Sequence, residues 1–182
     1  MIPEIAGPLL EASLRALRRA LAAGHPIDAS ALDDTEYRGI TLGPKLLAKL
    51  SWKTFQKTFH RDRATGKLRG WNVRMQQTGI DGPPIPIKKN GVPKTWGHYA
   101  VYEARGVRLA APYDQALLID YGVRGNGLLV RRMRDPLVAV EPNNPDVLLG
   151  VSYLDLRWLR AMTPTYFLLL REGPLSYVPP LP

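Results

Sequence analysis

The sequence predicts a mainly-β protein, an antiparallel barrel of about eight to ten short strands behind one N-terminal amphipathic helix. Three observations carry this. A clear amphipathic helical period is confined to residues 1–30. After Ala31, short apolar or aromatic runs follow one another with Gly, Pro, Asn and Asp clusters between them, which is strand-and-turn chemistry. The chain has 182 residues, 45% of them apolar, and no cysteine, enough to bury one core without a disulfide scaffold. One domain is expected: residues 1–30 as helix and connection, 31–175 as the barrel and 176–182 as a Pro-rich tail that frays.

Leu9, Leu10, Leu14, Leu17 and Leu21 recur at three- and four-residue spacing, with Arg15, Arg18 and Arg19 between them and Gly24-His25-Pro26 as a stop, so they form one face of a helix. Glu36–Ile40 makes a first short strand. Pro44–Leu50 fits two helical turns started by the proline. Trp52–His60 reads as a strand because it runs into Asp62-Arg63-Ala64-Thr65-Gly66-Lys67, where Asp opens a turn and Gly closes it; Leu68–Gln77 is its partner. Residues 78–97 are rich in Gly and Pro, and Asn90-Gly91 marks a tight turn in a small edge ribbon. Further strands are expected at His98–Ala104, Ala116–Asp120, Leu128–Met133, Leu137–Glu141, Val147–Leu154 and Thr165–Arg171, with Pro142–Asp146 as a turn.

Charge is the least even property of the chain. Residues 45–108 carry fourteen Lys or Arg against three acids, and the rest of the chain sums to −2, giving the overall +9. The same stretch holds Trp52, Trp71 and Trp96, three of the four tryptophans. Cationic hairpins gathered on one side of a curled sheet point to an anionic partner; taken one at a time, these lysines are an ordinary solvated surface. Arg131-Arg132-Met133-Arg134 is a smaller basic knot, partly neutralised by Asp135 and Glu141, which reads as an edge strand protected by charge. The N-terminal segment has no basic n-region and places Glu4 and Glu11 among its apolar residues. It reads as neither a signal peptide nor a membrane span, and a soluble, cytoplasmic protein is expected.

The Tyr37-Arg38-Gly39 strand start, Trp52 with Lys57-Thr58-Phe59, Asp120-Tyr121-Gly122 after Leu117-Leu118-Ile119, Leu148-Leu149-Gly150-Val151 and Tyr166-Phe167-Leu168-Leu169 follow one another in an order that resembles bacterial small-barrel proteins named for a Gly-x-Trp-x-Gly motif. The resemblance covers residues 33–171, although Glu36-Tyr37-Arg38-Gly39 lacks the first Gly and the Trp of that motif. It implies a lipocalin-like (calycin-type) barrel holding one small ligand inside, without an assigned reaction.

Two functions and a weaker third follow as expectations. The first is a non-enzymatic barrel for an apolar or amphiphilic anionic small molecule, with Trp52, Trp71, Tyr99, Tyr102 and Tyr121 shaping the cavity and Lys53, Lys57, Arg69 and Arg74 contacting charge. The second is a nucleic-acid-binding module built on residues 45–108, which needs exposed tryptophans as stacking faces. The third is an enzyme site at a barrel rim where His98 and Asp120 meet, with Tyr99, Tyr121 and Asn126 beside them. No P-loop, nucleophile elbow or dinucleotide fingerprint is present, and the histidines His25, His60 and His98 share no metal-ligand spacing. No cofactor or metal is expected, and haem is disfavoured because no histidine follows His98.

Overall fold

The computed structural model describes residues 2–43, 53–107, 109, 111, 113–156 and 160–182, without the side chains of residues 160–164. Eight antiparallel strands close into a barrel: β1 (Thr35–Leu42), β2 (Thr54–Arg61), β3 (Leu68–Val73), β6 (Thr95–Glu103), β7 (Leu117–Asp120), β8 (Met133–Glu141), β9 (Asn144–Asp155) and β10 (Arg160–Pro174). Around the ring they run β1-β10-β9-β8-β7-β6-β3-β2. A separate ribbon, β4 (Lys88–Lys89) with β5 (Val92–Pro93), turns through Asn90 and Gly91, both at positive φ as a two-residue hairpin turn requires. Among the described residues no helix is long and apolar enough to cross a membrane.

The N-terminal helix is broken in two. After α1 (Gly7–Leu10), Ser13 caps a new start, its hydroxyl accepting from the Ala16 N–H, and α2 (Leu14–Ala22) follows. Local side-chain capping thus overrides the continuous leucine period. Leu17 and Leu21 of α2 are fully buried against the outside of the barrel, in a cluster with Ile40, Val138, Leu149 and Leu168. The chain behind the helix is tied down by His25, whose N–H and C=O both bond to Ala139 at 2.9 Å. Because helices cover this wall, β9 is apolar on both faces, and Val147 to Val151 is buried throughout.

The Asp62 hairpin forms as its sequence predicts, with Asp62 Oδ1 accepting from the N–H groups of Ala64 and Thr65. Several expectations are corrected. Leu128–Met133 is not a strand: Val130–Arg132 forms a short 3₁₀ turn and β8 begins at Met133. Asp135-Pro136 does not divide two strands either. The β8–β9 register runs through Arg134 and resumes at Leu137, so the missing proline N–H falls in the gap. Nor is β8 an edge: it pairs with β7 and β9 in a closed ring. The tail is not frayed. The Ser176 N–H and hydroxyl bond to Glu36, Leu175 packs on Trp71, Pro179 is buried and Pro182 lies against Gly125. The helix expected at Pro44–Leu50 and the start of the Trp52 strand lie outside the described residues.

The cations of residues 45–108 do not gather on one face. Arg61, Arg63 and Lys67 sit at the β2–β3 hairpin, Lys88, Lys89 and Lys94 lie on the ribbon at the opposite end of the barrel, and Lys57 is inside. Three-dimensional register, which local composition does not encode, separates them.

Candidate functional site

Strand alternation decides what fills the barrel. At the end where β1, β6 and β8 meet β10, β7 and β9, Leu32, Tyr37, Phe59, Leu117, Leu148 and Leu169 form a packed plug. Toward the other end the same inward rows carry polar groups. On β2, Phe55, Lys57 and Phe59 share one face; on β8, Met133, Asp135 and Leu137 do. Those strands stand on opposite sides of the ring, and their two charged side chains meet across it.

Lys57 Nζ and Asp135 Oδ2 lie 3.3 Å apart, each side chain 2% exposed. The ammonium also donates to Asn72 Oδ1 at 3.2 Å and to the Tyr121 hydroxyl, and the Tyr121 hydroxyl donates to Asp135 Oδ2 at 3.2 Å. Aromatic rings enclose the nitrogen, with centroids at 4.9 Å (Tyr99), 5.0 Å (Tyr121), 5.2 Å (Phe167) and 5.8 Å (Phe55), within cation–π range. Asn72 is held by its Nδ2 donating to the Gly97 carbonyl at 3.1 Å. Gly97 occupies the irregularity between β3 and β6 with φ of 56°, and a Cβ there would sit 2.9 Å from Asn72 Nδ2, so this position requires glycine. Gly39 and Gly150 make room for the aromatic walls: a Cβ on either would lie 2.3 Å from the Phe55 or Phe167 ring.

Burial pushes the Lys57 ammonium below its usual value, opposed by the attraction of Asp135. Burial likewise pushes the Asp135 carboxyl up, opposed by Lys57 and by hydrogen bonds from Ser152, Lys57 and Tyr121. Both shifts favour a less charged pair, as expected where desolvation competes with ion pairing. Burial first, and Asp135 second, raises the Tyr121 phenol well above its ordinary value.

Above this cluster lies a cavity of about 110 Å³. Phe55, Trp96, Met133 and Phe167 supply its apolar walls. Lys57, Asn72, Tyr121 and Asp135 form its polar floor, with Thr41, Ser152 and Thr165 adding hydroxyl-bearing side chains. Pockets for drug-sized ligands run to about 300 Å³ or more. This one takes a compact molecule or the polar end of a longer one.

Of the residues singled out in the sequence, the structure brings Lys57, Tyr99 and Tyr121 together. Tyr99 lies beneath the cavity, its hydroxyl donating to the Thr58 carbonyl at 2.8 Å. Trp71 is fully buried, but on the outer side of β3, in a cluster with Val73, Met75 and Leu175. Arg69 lies over its ring at 5.3 Å and His98 beside it at 6.2 Å. Lys53 is exposed, Arg74 is half-buried at the ribbon, and Trp52 lies outside the described residues. Tyr102 and Asp120 also face outward. The Tyr102 hydroxyl donates to Asp120 Oδ2 at 2.6 Å, and Asp120 Oδ1 meets Arg134 at 2.9 Å and the Gly122 N–H at 2.7 Å. That carboxylate is committed to a surface turn. Burial, then Arg69, lowers the His98 pKa; the hydrogen bonds and ion pair found on the Asp120 carboxylate come from Tyr102, Gly122 and Arg134, not from the His98 ring. Asp135, Asn72 and Ser152 were missed. The missed signal was one carboxylate, Asp135, on the otherwise apolar inward row Met133, Leu137, Ala139.

No family model, no curated protein and no solved structure matches the chain.

Proposed function

We infer that this protein is a small-molecule-binding barrel, non-enzymatic, whose ligand enters the cavity over Lys57 and Asp135. The ligand has an apolar body against Phe55, Trp96, Met133 and Phe167 and a polar or anionic end on the floor. The observation that supports this is the buried charge pair itself. Closing a barrel end needs only apolar side chains, and an ion pair there is no more stabilising than well-packed apolar residues. Set beneath an open space with a phenol, an amide and hydroxyls, it offers a ligand polar partners already desolvated and held in place.

Screening compact carboxylic acids and neutral aromatic fragments by ligand-observed NMR tests the reading. Binding is expected for fragments of up to about ten heavy atoms, and Thr165→Phe, which fills the cavity, is expected to abolish it without lowering the melting temperature. Hits that survive Thr165→Phe, or no hits at all, contradict the reading. A carboxylate ligand places a second negative charge beside Asp135 and further favours its protonated form. Its affinity therefore rises as pH falls, whereas a neutral ligand shows no such slope.

A further inference from the structure

The cavity end of the barrel carries a surface that the ligand site does not explain. The β7–β8 loop leaves this end with Leu128 and Leu129 at 83% and 66% exposure, the first of these the most exposed large apolar residue described. Arg124, Arg131 and Arg132 flank them, all exposed. The segment between β3 and β6, which are next to β7 and β8 in the ring, leaves the same end with Ile85, Ile87 and Val92 exposed beside Lys88, Lys89 and Lys94. Leu156, following β9 at this end, is exposed as well. At the far end the cations Arg61, Arg69 and Arg171 are paired with Asp33, Asp62 and Asp146.

We propose that the cavity end docks on an anionic lipid surface, with Leu128 and Leu129 inserting among the acyl chains and the flanking arginines and ribbon lysines meeting the headgroups. Aliphatic tips between cations match both layers of such a surface, the apolar boundary and the negative headgroups. Single-stranded nucleic acid would instead call for exposed rings on which bases stack. Among the described tryptophans, Trp71 is buried under the tail and Trp96 lines the cavity, so neither offers one. The proposal stands whether or not the cavity binds a ligand, and it places the cavity mouth against the bilayer.

Vesicle flotation of the full chain tests it, with vesicles of equal parts phosphatidylcholine and phosphatidylglycerol compared with phosphatidylcholine alone. The protein is expected to float with the anionic vesicles only, and less as salt rises. L128E/L129E is expected to abolish flotation. Replacing both arginines in R131Q/R132Q is expected to weaken it about twenty-fivefold, at about fivefold for each charge near the surface. R63E/K67E, at the far end, is expected to change little. All six positions are exposed, and an unchanged melting curve verifies the fold of each variant. Four results overturn the proposal: no flotation with anionic vesicles; retention in L128E/L129E; an equal loss in R63E/K67E, which would mean diffuse charge attraction; or association with a single-stranded oligonucleotide or a second copy of the chain that L128E/L129E abolishes while flotation persists.

Discussion

The two ends of the barrel are made of the same eight strands and solve opposite problems. At the far end, inward side chains are apolar and interlocked, and Arg61, Arg69 and Arg171 are paired with Asp33, Asp62 and Asp146. At the cavity end, the inward rows carry a lysine, an aspartate and an asparagine, and the loops expose leucine and isoleucine among the exposed cations Lys88, Lys89 and Arg124. The contrast shows that closure of the barrel does not depend on the cavity end being well packed. One end is filled with apolar side chains, and the other carries polar groups around a cavity.

The largest expected effect breaks this contrast at the floor. Lys57→Met or Asp135→Leu alone leaves a buried charge without its partner and should destabilise by about 3–5 kcal/mol, while the double variant should lose less than either single one. Chemical denaturation of the four proteins measures this; a double variant as unstable as the sum of the singles would mean that the two side chains act independently. Next comes the comparison of packing. Leu169→Ala, fully buried in the far-end plug, should cost about 2–5 kcal/mol, whereas Met133→Ala on the half-exposed cavity wall should cost about 1 kcal/mol. Equal losses would show that the cavity end is as tightly packed as the plug.

A smaller effect appears in alkali. Tyr99 and Tyr121 have phenols raised well above the ordinary value, chiefly by burial, so the folded state retains protons that the unfolded chain gives up. The stability tied to them is fully present below about pH 10, the unfolded value, and is lost as pH rises from there toward the folded values. In an ultraviolet titration these two phenols should ionise only as the protein unfolds, later than exposed tyrosines. Tyr102, raised to about 12 by burial and then by Asp120, should titrate between the two groups.

Much of the architecture was legible because it is local. Asp62 and its hairpin, the Asn90-Gly91 turn and the Leu17 and Leu21 positions of the N-terminal helix depend on neighbours within a few residues, whereas Leu14, expected on the same face, is exposed. Half of the site was legible in the same way, since Lys57 between Phe55 and Phe59 is a charge on an inward row. Asp135 carries the matching signal between Met133 and Leu137. Its closeness in sequence to Arg131, Arg132 and Arg134 suggested a surface role, and only strand alternation turns it inward. That β2 and β8 face each other across the ring is a property of closure, which no local pattern contains. The outward turn of Trp71 under the C-terminal tail is long-range in the same sense.

The central claim is that Lys57 is a desolvated lysine at the floor of a ligand cavity. NMR of the protein labelled at lysine carbon, titrated with base and with Lys57→Met to assign the signal, tests it most directly. One lysine resonance is predicted to titrate below all the others and to shift when a cavity fragment is added; a Lys57 signal that titrates with the surface lysines and ignores the fragment would contradict the account.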